Sequence, residues 1–392
     1  MDLQKIQTAI GAAGLNGWLF FDFHNRDHLG LKILGISQKG LATRRWYYYI
    51  PAIGEPVRLV HRVEPEKLDH LPGKKFSYSS WRELHANLKE ILGKPSRIAM
   101  QYSPQNAIPY VSIADGGTIE LIKGMGHEVV SSADLIQQFE AVLGEKAIRS
   151  HIKAGKLIDK ILDEAFNEIR KSLTTKKYKT EYEIQQFIWK RFAANGLVAD
   201  EPPIVGVNDH PANPHFAPTP KNSRKMKPGD KFLIDLWAKL DKPGSIYYDI
   251  TWSAFIGDDP PDEYVKCFHV VRDARRAGFK FLNDRLADGR QVAGWEVDDV
   301  CRNVVKQSGY GEYFTHRTGH SIGEEVHGNG GNIDNFETQD TRVIVPGCLF
   351  SLEPGIYMQG KMGVRSELNV YVGDMQKASV TGREQAELVL IH

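Results

Sequence analysis

Residues 315 to 327 read Thr-His-Arg-Thr-Gly-His-Ser-Ile-Gly-Glu-Glu-Val-His, so three imidazoles and two carboxylates fall within thirteen positions. His316 and His320 are four residues apart, which suits one face of a helix. Gly319 and Gly323 disfavour a helix, however, and favour a backbone held close to something else. One histidine alone could equally be a satisfied polar residue in a turn. Three together predict a loop that holds a metal ion.

The totals around this stretch describe an ordinary globular protein. A chain of 392 residues predicts roughly two domains. The 50 Lys and Arg against 49 Asp and Glu leave a net charge of +1, which gives no basic footprint for nucleic acid. The first residues contain no apolar run long enough for a signal peptide or a membrane span, and the 3 cysteines form no CxxC arrangement. We therefore expect a cytoplasmic protein without nucleic-acid or membrane partners.

The first part of the chain alternates helical and strand-like patterns. Leu3, Ile6 and Ile10 repeat at helical spacing, and Gly14 ends that pattern. A further helix is predicted near residues 81–92. Strands are predicted at residues 18–23, 46–50, 57–60, 98–102 and 119–122. This alternation predicts a small α/β domain over residues 1–140.

The second part begins with two helices. An amphipathic pattern covers residues 144–173, and Thr180 with Glu183 forms the capping box that would start the second helix. The stretch 201–220, which carries His215, is rich in Pro and Asn and is predicted to be irregular. The elements predicted after it are a hairpin at 232–256, helices at 262–286 and 297–308, and a hairpin at 350–370. Helix, helix, hairpin thus occurs twice within residues 141–392.

The first hairpin brings two acids together. If it is centred on Lys242, Asp235 and Asp249 lie directly opposite each other, with Cβ atoms about 5 Å apart. A solvated sheet face would explain one such pair equally well. The register is assumed from symmetry, and a slip of one residue would move one acid to the other face.

The second hairpin repeats the arrangement. If it is centred on Gly360, Glu353 and Glu367 are also opposed. Four carboxylates in an apolar setting are costly unless divalent cations lie between them, and oxygen ligands with one imidazole suit Mn, Co, Zn or Fe(II). With one imidazole of the histidine stretch as fifth ligand, the set would hold two metal ions roughly 3.5 to 4 Å apart, which activate water and polarise a carbonyl. Hydrolysis of an amide is the reaction such a centre favours.

These residues resemble the pita-bread metallopeptidase family, and within it the Xaa-Pro branch of prolidase and aminopeptidase P. The motifs that carry the resemblance are Leu-Ile-Asp235, Tyr-Asp249-Ile-Thr, Thr-Gly-His320-Ser-Ile-Gly, Leu-Glu353-Pro-Gly-Ile-Tyr and Gly-Val-Arg-Ser-Glu367. The resemblance spans the chain. It implies a creatinase-like α/β domain at residues 1–140 and an α+β pita-bread catalytic domain at residues 141–392.

The family also implies roles for these positions. The five motif residues would bind two divalent ions per chain, with Mn expected first and Co or Zn as alternatives. Glu353 would bridge the ions and accept a proton from the attacking water. His215, His316 and His327 would bind substrate and stabilise the tetrahedral oxyanion. The implied partners are a peptide with proline after the scissile bond and a second copy of the chain in a homodimer.

The sequence departs from the family pattern at four positions. Trp237 stands where Gly is usual, and Trp252 stands where Arg often follows Asp-x-Thr. Arg317 and Ser321 replace small residues beside the histidines. These departures bear on substrate preference rather than on metal binding.

Arginines near the motifs favour a substrate with a free carboxylate. Arg365 and Tyr357 match family positions near the ligands, and Arg317 adds a cation beside His316. Arg342 is a weaker candidate, because an Arg that pairs with a surface acid is equally common. We therefore expect Xaa-Pro dipeptides as substrates, which would make the chain a prolidase.

Three other functions remain open at this point. An aminopeptidase P would accept longer peptides, and a creatinase-like relative would cleave a non-peptide C–N bond. A catalytically inactive binding module would show eroded ligands, whereas all five motif residues are intact.

Overall fold

The computed structural model describes residues 1–373 and 377–392, which fall into two compact units, Met1–Glu140 and Ala141–His392. The helices of the first unit are α1 (Leu3–Ala12), α2 (His28–Leu34), α3 (Trp81–Leu92), α4 (Gly116–Gly124) and α5 (Ala133–Glu140). Its strands are β1 (Gly17–Asp22), β2 (Trp46–Pro51), β3 (Val57–His61), β4 (Lys74–Tyr78), β5 (Arg97–Met100) and β6 (Glu128–Ser131).

These strands form one mixed sheet in the order β4-β3-β2-β1-β5-β6. Every residue of β1 is buried, because helices and loops cover both faces of the sheet. The strand predicted at residues 119–122 is wrong, since these residues lie in α4. Ile119 and Ile122 are three apart on the buried side of that helix, and a short apolar run does not distinguish strand from helix.

The second unit contains the predicted helices. They are α6 (Glu145–Thr174), α7 (Glu181–Ala194), α8 (Asp262–Ala287) and α9 (Gly294–Gln307). The strands are β7 (Leu197–Val198), β8 (Ile204–Val207), β9 (Lys231–Leu240), β10 (Tyr248–Ile256), β11 (Leu349–Leu352), β12 (Gly355–Met358), β13 (Met362–Arg365), β14 (Leu368–Val372), β15 (Ala378–Val380) and β16 (Val389–Ile391). The capping box of Thr180 and Glu183 is present at the start of α7.

The hairpin of β9 and β10 has two different faces. One face packs against α6 and α7 and includes Trp252, whose ring centroid lies 6.4 Å from that of Phe166. Thr251 pairs with Asp235, and Asp249 pairs with Trp237. The hairpin is therefore centred one residue beyond Lys242, and the predicted direct opposition of the two acids is wrong. The pairing moves by two positions, so both acids still share the face opposite Trp252.

The second hairpin has the predicted register. Leu352 pairs with Leu368 and Gly355 pairs with Arg365, so both ladders are centred on residue 360. Glu353 and Glu367 occupy the break between the two ladders. Helices α8 and α9 pack against β12 and β13 through a separate apolar cluster.

The segment predicted to be irregular contains a strand. β8 pairs antiparallel with β9, so Ile204 lies next to Asp235. Within residues 1–373 and 377–392, no helix combines the length and apolar character needed to cross a membrane.

Candidate metal centre

One cavity of about 880 Å³ brings together the acids of both hairpins. Asp235 and Asp249 reach it from β9 and β10. Glu353 reaches it from the turn after β11, and Glu367 from the residues before β14. His320 completes the group from the loop between α9 and β11. The five residues predicted to bind metal therefore line a single cavity.

Three carboxylates of this group each have one buried oxygen that lacks a hydrogen-bond partner among the described residues. Within the described residues, Asp235 Oδ1, Asp249 Oδ1 and Glu367 Oε1 are buried and have no hydrogen-bond partner. Arg365 donates to Asp235 Oδ2, and Thr251 Oγ1 donates to Glu367 Oε2 at 2.7 Å. Buried oxygens of this kind are costly unless something else satisfies them. A divalent cation is the partner that fits these oxygens.

His320 presents a lone pair to the same place. Its Nδ1–H donates to the carbonyl oxygen of Ser321 at 3.1 Å, which fixes the tautomer. Nε2 then lies 3.6 Å from Asp249 Oδ2 and 3.3 Å from Glu353 Oε1. Ligand atoms of Asp249, His320 and Glu367 all lie within 4.8 Å of one another. Oxygen donors with one imidazole nitrogen suit a borderline divalent metal.

The charges of the site also call for a cation. Burial, followed by repulsion from Asp235, raises the pKa of Asp249 well above its usual value. Burial and the neighbouring carboxylates likewise raise the pKa of Glu367, and burial raises that of Glu353. Bound divalent ions would favour the ionised form of every one of these groups.

The loop that carries His320 is held against the second hairpin. A Cβ on Gly319 would overlap the carbonyl oxygen of Ser351, so only glycine fits. The close approach expected at this glycine is confirmed. At Gly323 the nearest atom to an added Cβ lies at 3.8 Å, which leaves ordinary space.

An ion pair on α9 organises the histidine loop. Asp298 is fully buried and accepts from the backbone N–H of Thr318 at 3.0 Å and of Asn335 at 2.8 Å. Arg302, one turn later, pairs with Asp298 and donates to the carbonyl oxygen of His316 at 2.8 Å. Sequence reasoning missed both residues. The available signal was an acid inside the apolar face of a predicted helix, four residues before an arginine.

His316 lies in the cavity with both ring nitrogens occupied. Its Nδ1–H donates to the carbonyl oxygen of Arg317 at 2.6 Å. Tyr357 accepts from Arg365 at 2.9 Å and donates to His316 Nε2 at 2.7 Å. Burial first, and then the charge of Arg365, lowers the pKa of His316 to about 3. Nε2 of a neutral His316 in this arrangement is an acceptor, so it can accept a hydrogen bond from substrate only after Tyr357 moves.

The other two histidines line the cavity with exposed side chains. The ring of His327 stands edge-on to that of His320, with centroids 4.4 Å apart. His215 follows β8, and its backbone N–H donates to Asn213 Oδ1 at 3.1 Å. Both are placed to meet a molecule bound at the carboxylates.

The three arginines differ in what they can reach. Arg317 lines the cavity. Arg365 is buried and commits its donors to Asp235, Tyr357 and, at 3.0 Å, Thr251. A substrate carboxylate would have to break these bonds.

Arg342 is not a cavity residue, so its predicted contact with substrate is corrected. Its side chain is buried and donates to Asp340 at 2.9 and 2.6 Å and to the carbonyl oxygen of Asn329 at 2.8 Å. Among the described residues that line the cavity, Arg342 does not occur. The sequence contained an acid two positions earlier, which is the buried partner it uses.

The residues that depart from the family pattern lie in different parts of the second unit. Trp237 lines the cavity, whereas Trp252 lies on the opposite face of the sheet. Ser321 Oγ accepts from the backbone N–H of Gly330 at 3.0 Å and so holds the loop together. Sequence reasoning also missed the acids Asp200, Glu201 and Glu337 in the cavity wall, for which no pattern stands out.

Comparison with known proteins gives matches along most of the chain. The model of metallopeptidase family M24 matches residues 149–374. An uncharacterized peptidase of Staphylococcus aureus is 28% identical over 64% of this chain and 66% of its own length. A putative Xaa-Pro aminopeptidase of Mycoplasma pneumoniae is 32% identical over 50% of this chain and 51% of its own length. The crystal structure of dipeptidase PepE from Mycobacterium ulcerans is similar with a TM-score of 0.72 and 25% identity, over 99% of this chain and 96% of that one. The chain thus spans 66% and 51% of these two curated relatives and nearly all of the solved structure.

Proposed function

The chain belongs to metallopeptidase family M24 and has the two-part pita-bread fold expected from its sequence, and on this basis we propose that it hydrolyses Xaa-Pro dipeptides. The Mycoplasma relative is named as a putative Xaa-Pro aminopeptidase and the Mycobacterium structure as a dipeptidase. A prolidase is a dipeptidase that cleaves Xaa-Pro bonds, so it agrees with the bond in one name and with the substrate length in the other.

One observation carries the proposal: ligand atoms of Asp249, Glu367 and His320 lie within 4.8 Å of one another, and Asp235, Asp249 and Glu367 each have a buried oxygen without a partner among the described residues. Asp235, Asp249, His320, Glu353 and Glu367 would hold two divalent ions there. When bound, such ions polarise the scissile carbonyl and lower the pKa of water. The chain's own residues do the rest.

Glu353 is the proposed proton acceptor. Its side chain is partly exposed in the cavity, and Ser351 Oγ holds Oε1 at 3.1 Å. A carboxylate so held can take a proton from the attacking water and deliver it to the leaving nitrogen of proline. His215 and His327 would contact the substrate. His316 would contact the substrate together with Tyr357, whose hydroxyl is hydrogen-bonded to His316 Nε2.

Arg317 is the proposed contact for the carboxylate of a dipeptide. Arg317 and Arg365 both line the cavity, but a substrate carboxylate could reach Arg365 only by displacing it from Asp235, a proposed metal ligand, and Arg342 is bonded to Asp340 outside the cavity. A guanidinium fork suits a carboxylate in two-point geometry. A longer peptide would bring a neutral amide to this position.

The experiment compares kcat/KM for an Xaa-Pro dipeptide, its C-terminal amide and the matching tripeptide, with metal added. Loss of one buried charged contact predicts that amide and tripeptide are poorer by about a hundredfold. Arg317→Met should remove most of this difference, whereas Arg317→Lys, which keeps the charge, should remove less. Equal cleavage of all three substrates would make the enzyme an aminopeptidase P and would leave Arg317 without the proposed role.

The native metal, the assembly and the compartment belong to the same proposal. We propose manganese as the metal and a homodimer as the assembly, both supported by the resemblance to the Xaa-Pro branch, and the cytoplasm as the location. Elemental analysis after dialysis against metal, light scattering of the purified protein and cell fractionation test them. Activity on non-peptide C–N substrates alone would instead favour the creatinase-like alternative.

A further inference from the structure

We propose that Trp237 forms the wall that selects the side chain of the residue before proline, so that large apolar residues are preferred there. The inference rests on the proposed function, because it names which part of an Xaa-Pro substrate meets this wall. Trp237 is half-buried and lines the cavity. It pairs directly with Asp249 in the ladder of β9 and β10.

Two aliphatic side chains border the cavity together with Trp237. Ile204 lies beside Asp235 in the neighbouring ladder and also lines the cavity. Val326, from the histidine loop, packs into the same apolar cluster as Trp237 and faces the cavity too. The carboxylates of β9 and β10 are thus bordered by indole and aliphatic side chains. Such a surface gains free energy by covering an apolar group.

The chemistry decides which substrate side chain arrives there. The attacked carbonyl belongs to the residue before proline and must lie at the metal ligands Asp235 and Asp249. Both the Cα that bears this residue's side chain and the proline nitrogen are bonded to the carbonyl carbon, so either side of the bond could lie near Trp237. The two sides are distinguished by Arg317, which comes from the histidine loop, whereas Trp237 comes from β9. The proline carboxylate is assigned to Arg317 and lies one residue further on. Trp237 therefore faces the first residue of the substrate rather than the proline.

The test uses Trp237→Ala and Trp237→Phe, with Trp252→Phe as matched control on the other face of the same hairpin. Wild-type protein should cleave Phe-Pro and Leu-Pro with higher kcat/KM than Gly-Pro. Trp237→Ala should lower kcat/KM for Phe-Pro about tenfold and for Gly-Pro less than about twofold, on the area that an indole covers. Trp237→Phe should retain most of the preference, and Trp252→Phe should leave it unchanged.

Metal content of every variant is measured, because Trp237 borders Asp249. Calorimetric binding of Phe-Pro and Gly-Pro to the metal-loaded protein gives a second readout that needs no turnover. If wild-type protein binds both dipeptides but cleaves neither, the proposed function fails, and the ratio of the two Kd values still decides the role of Trp237. If Trp237→Ala keeps its metal and the wild-type ratio of Phe-Pro to Gly-Pro, this inference is overturned while the function stands.

Discussion

Arg365 shows how one residue divides the oxygens of the metal centre. Its guanidinium takes Asp235 Oδ2, which leaves Oδ1 of the same carboxylate for a cation. The same side chain donates to Thr251, and Thr251 in turn donates to Glu367. The buried guanidinium therefore orients Asp235 directly and Glu367 through Thr251, and it positions the Tyr357 hydroxyl beside His316.

Arg365→Lys should damage the site although the charge is kept. A lysine cannot reproduce donation to Thr251, Tyr357 and Asp235 at once, so buried acceptors lose partners. We expect the free energy of unfolding of the metal-free protein to fall by about 3 kcal/mol. Metal affinity should fall as well. Urea unfolding and a metal titration measure the two effects, and a variant that binds metal like the wild type would refute the orienting role.

The histidines should separate into ligand and substrate contacts. His320→Ala should lose metal, because it removes the nitrogen donor among the carboxylates. His316→Ala and His327→Ala should keep their metal but lose activity by about a hundredfold or more. Elemental analysis and kcat/KM on one dipeptide decide the assignment. Loss of metal from either of the last two variants would reverse it.

At this scale the sequence predicted the residues that share the cavity better than their partners. Spacing in the two hairpins brought out the four carboxylates, because buried carboxylates have few roles in apolar surroundings. The resemblance to the family selected His320 as ligand and His215, His316 and His327 as substrate contacts. They did not reveal that Arg342 is buried against Asp340. Which acid an arginine pairs with depends on tertiary packing. The sequence around Arg342 was compatible both with contact to a substrate carboxylate and with pairing to an acid of the chain.

At the scale of elements, the loop from α9 to β11 depends on two close fits. Gly319 packs against the carbonyl oxygen of Ser351. Asp298 accepts hydrogen bonds from the backbone N–H groups of Thr318 and Asn335 in the histidine loop. The rigidity of His320 therefore comes from a helix and a strand outside the loop itself.

Asp298→Asn tests the helix contribution. The change removes the charge that pairs with Arg302 and weakens acceptance from Thr318, and breaking a buried pair costs about 3 kcal/mol. We expect lower thermal stability together with weaker metal binding, since His320 follows Thr318 by two residues. Asp299→Asn is the matched control on the same helix turn, where the carboxylate accepts from the side-chain amide of Asn335 at 2.8 Å. Equal metal affinity in wild type and Asp298→Asn would limit Asp298 to folding.

The hairpins show what the sequence can and cannot predict about elements. Strand positions and the second register followed from alternation and from the glycine turn. The first register differs from the prediction because the turn after Leu240 centres the ladder one residue beyond Lys242. The alternation of apolar and polar residues does not determine the geometry of that turn. The displacement kept both acids on one face, so they line the same cavity although the predicted pairing is wrong.

For the whole molecule, metal and proton compete for the same carboxylates. In the metal-free protein, burial raises the pKa of Asp249 and Glu367 above their ordinary values. A raised folded pKa means that the folded state binds more protons than the unfolded one, so this contribution to stability is complete at low pH and is lost as pH rises. Bound metal needs the same groups deprotonated, so its contribution grows as pH rises.

The difference in Tm between metal-loaded and metal-free protein should therefore widen from about pH 5 to about pH 8. Other buried acids, such as Asp27 with its pKa raised by burial to about 7, affect both forms alike and cancel in the difference. Differential scanning calorimetry with and without a chelator measures the gap at each pH. Glu367→Gln should flatten the pH dependence of Tm for the metal-free form, because it removes one of the carboxyl groups whose pKa is raised. A gap that stays constant with pH would mean that these carboxylates do not hold the metal, whatever their spacing in the cavity.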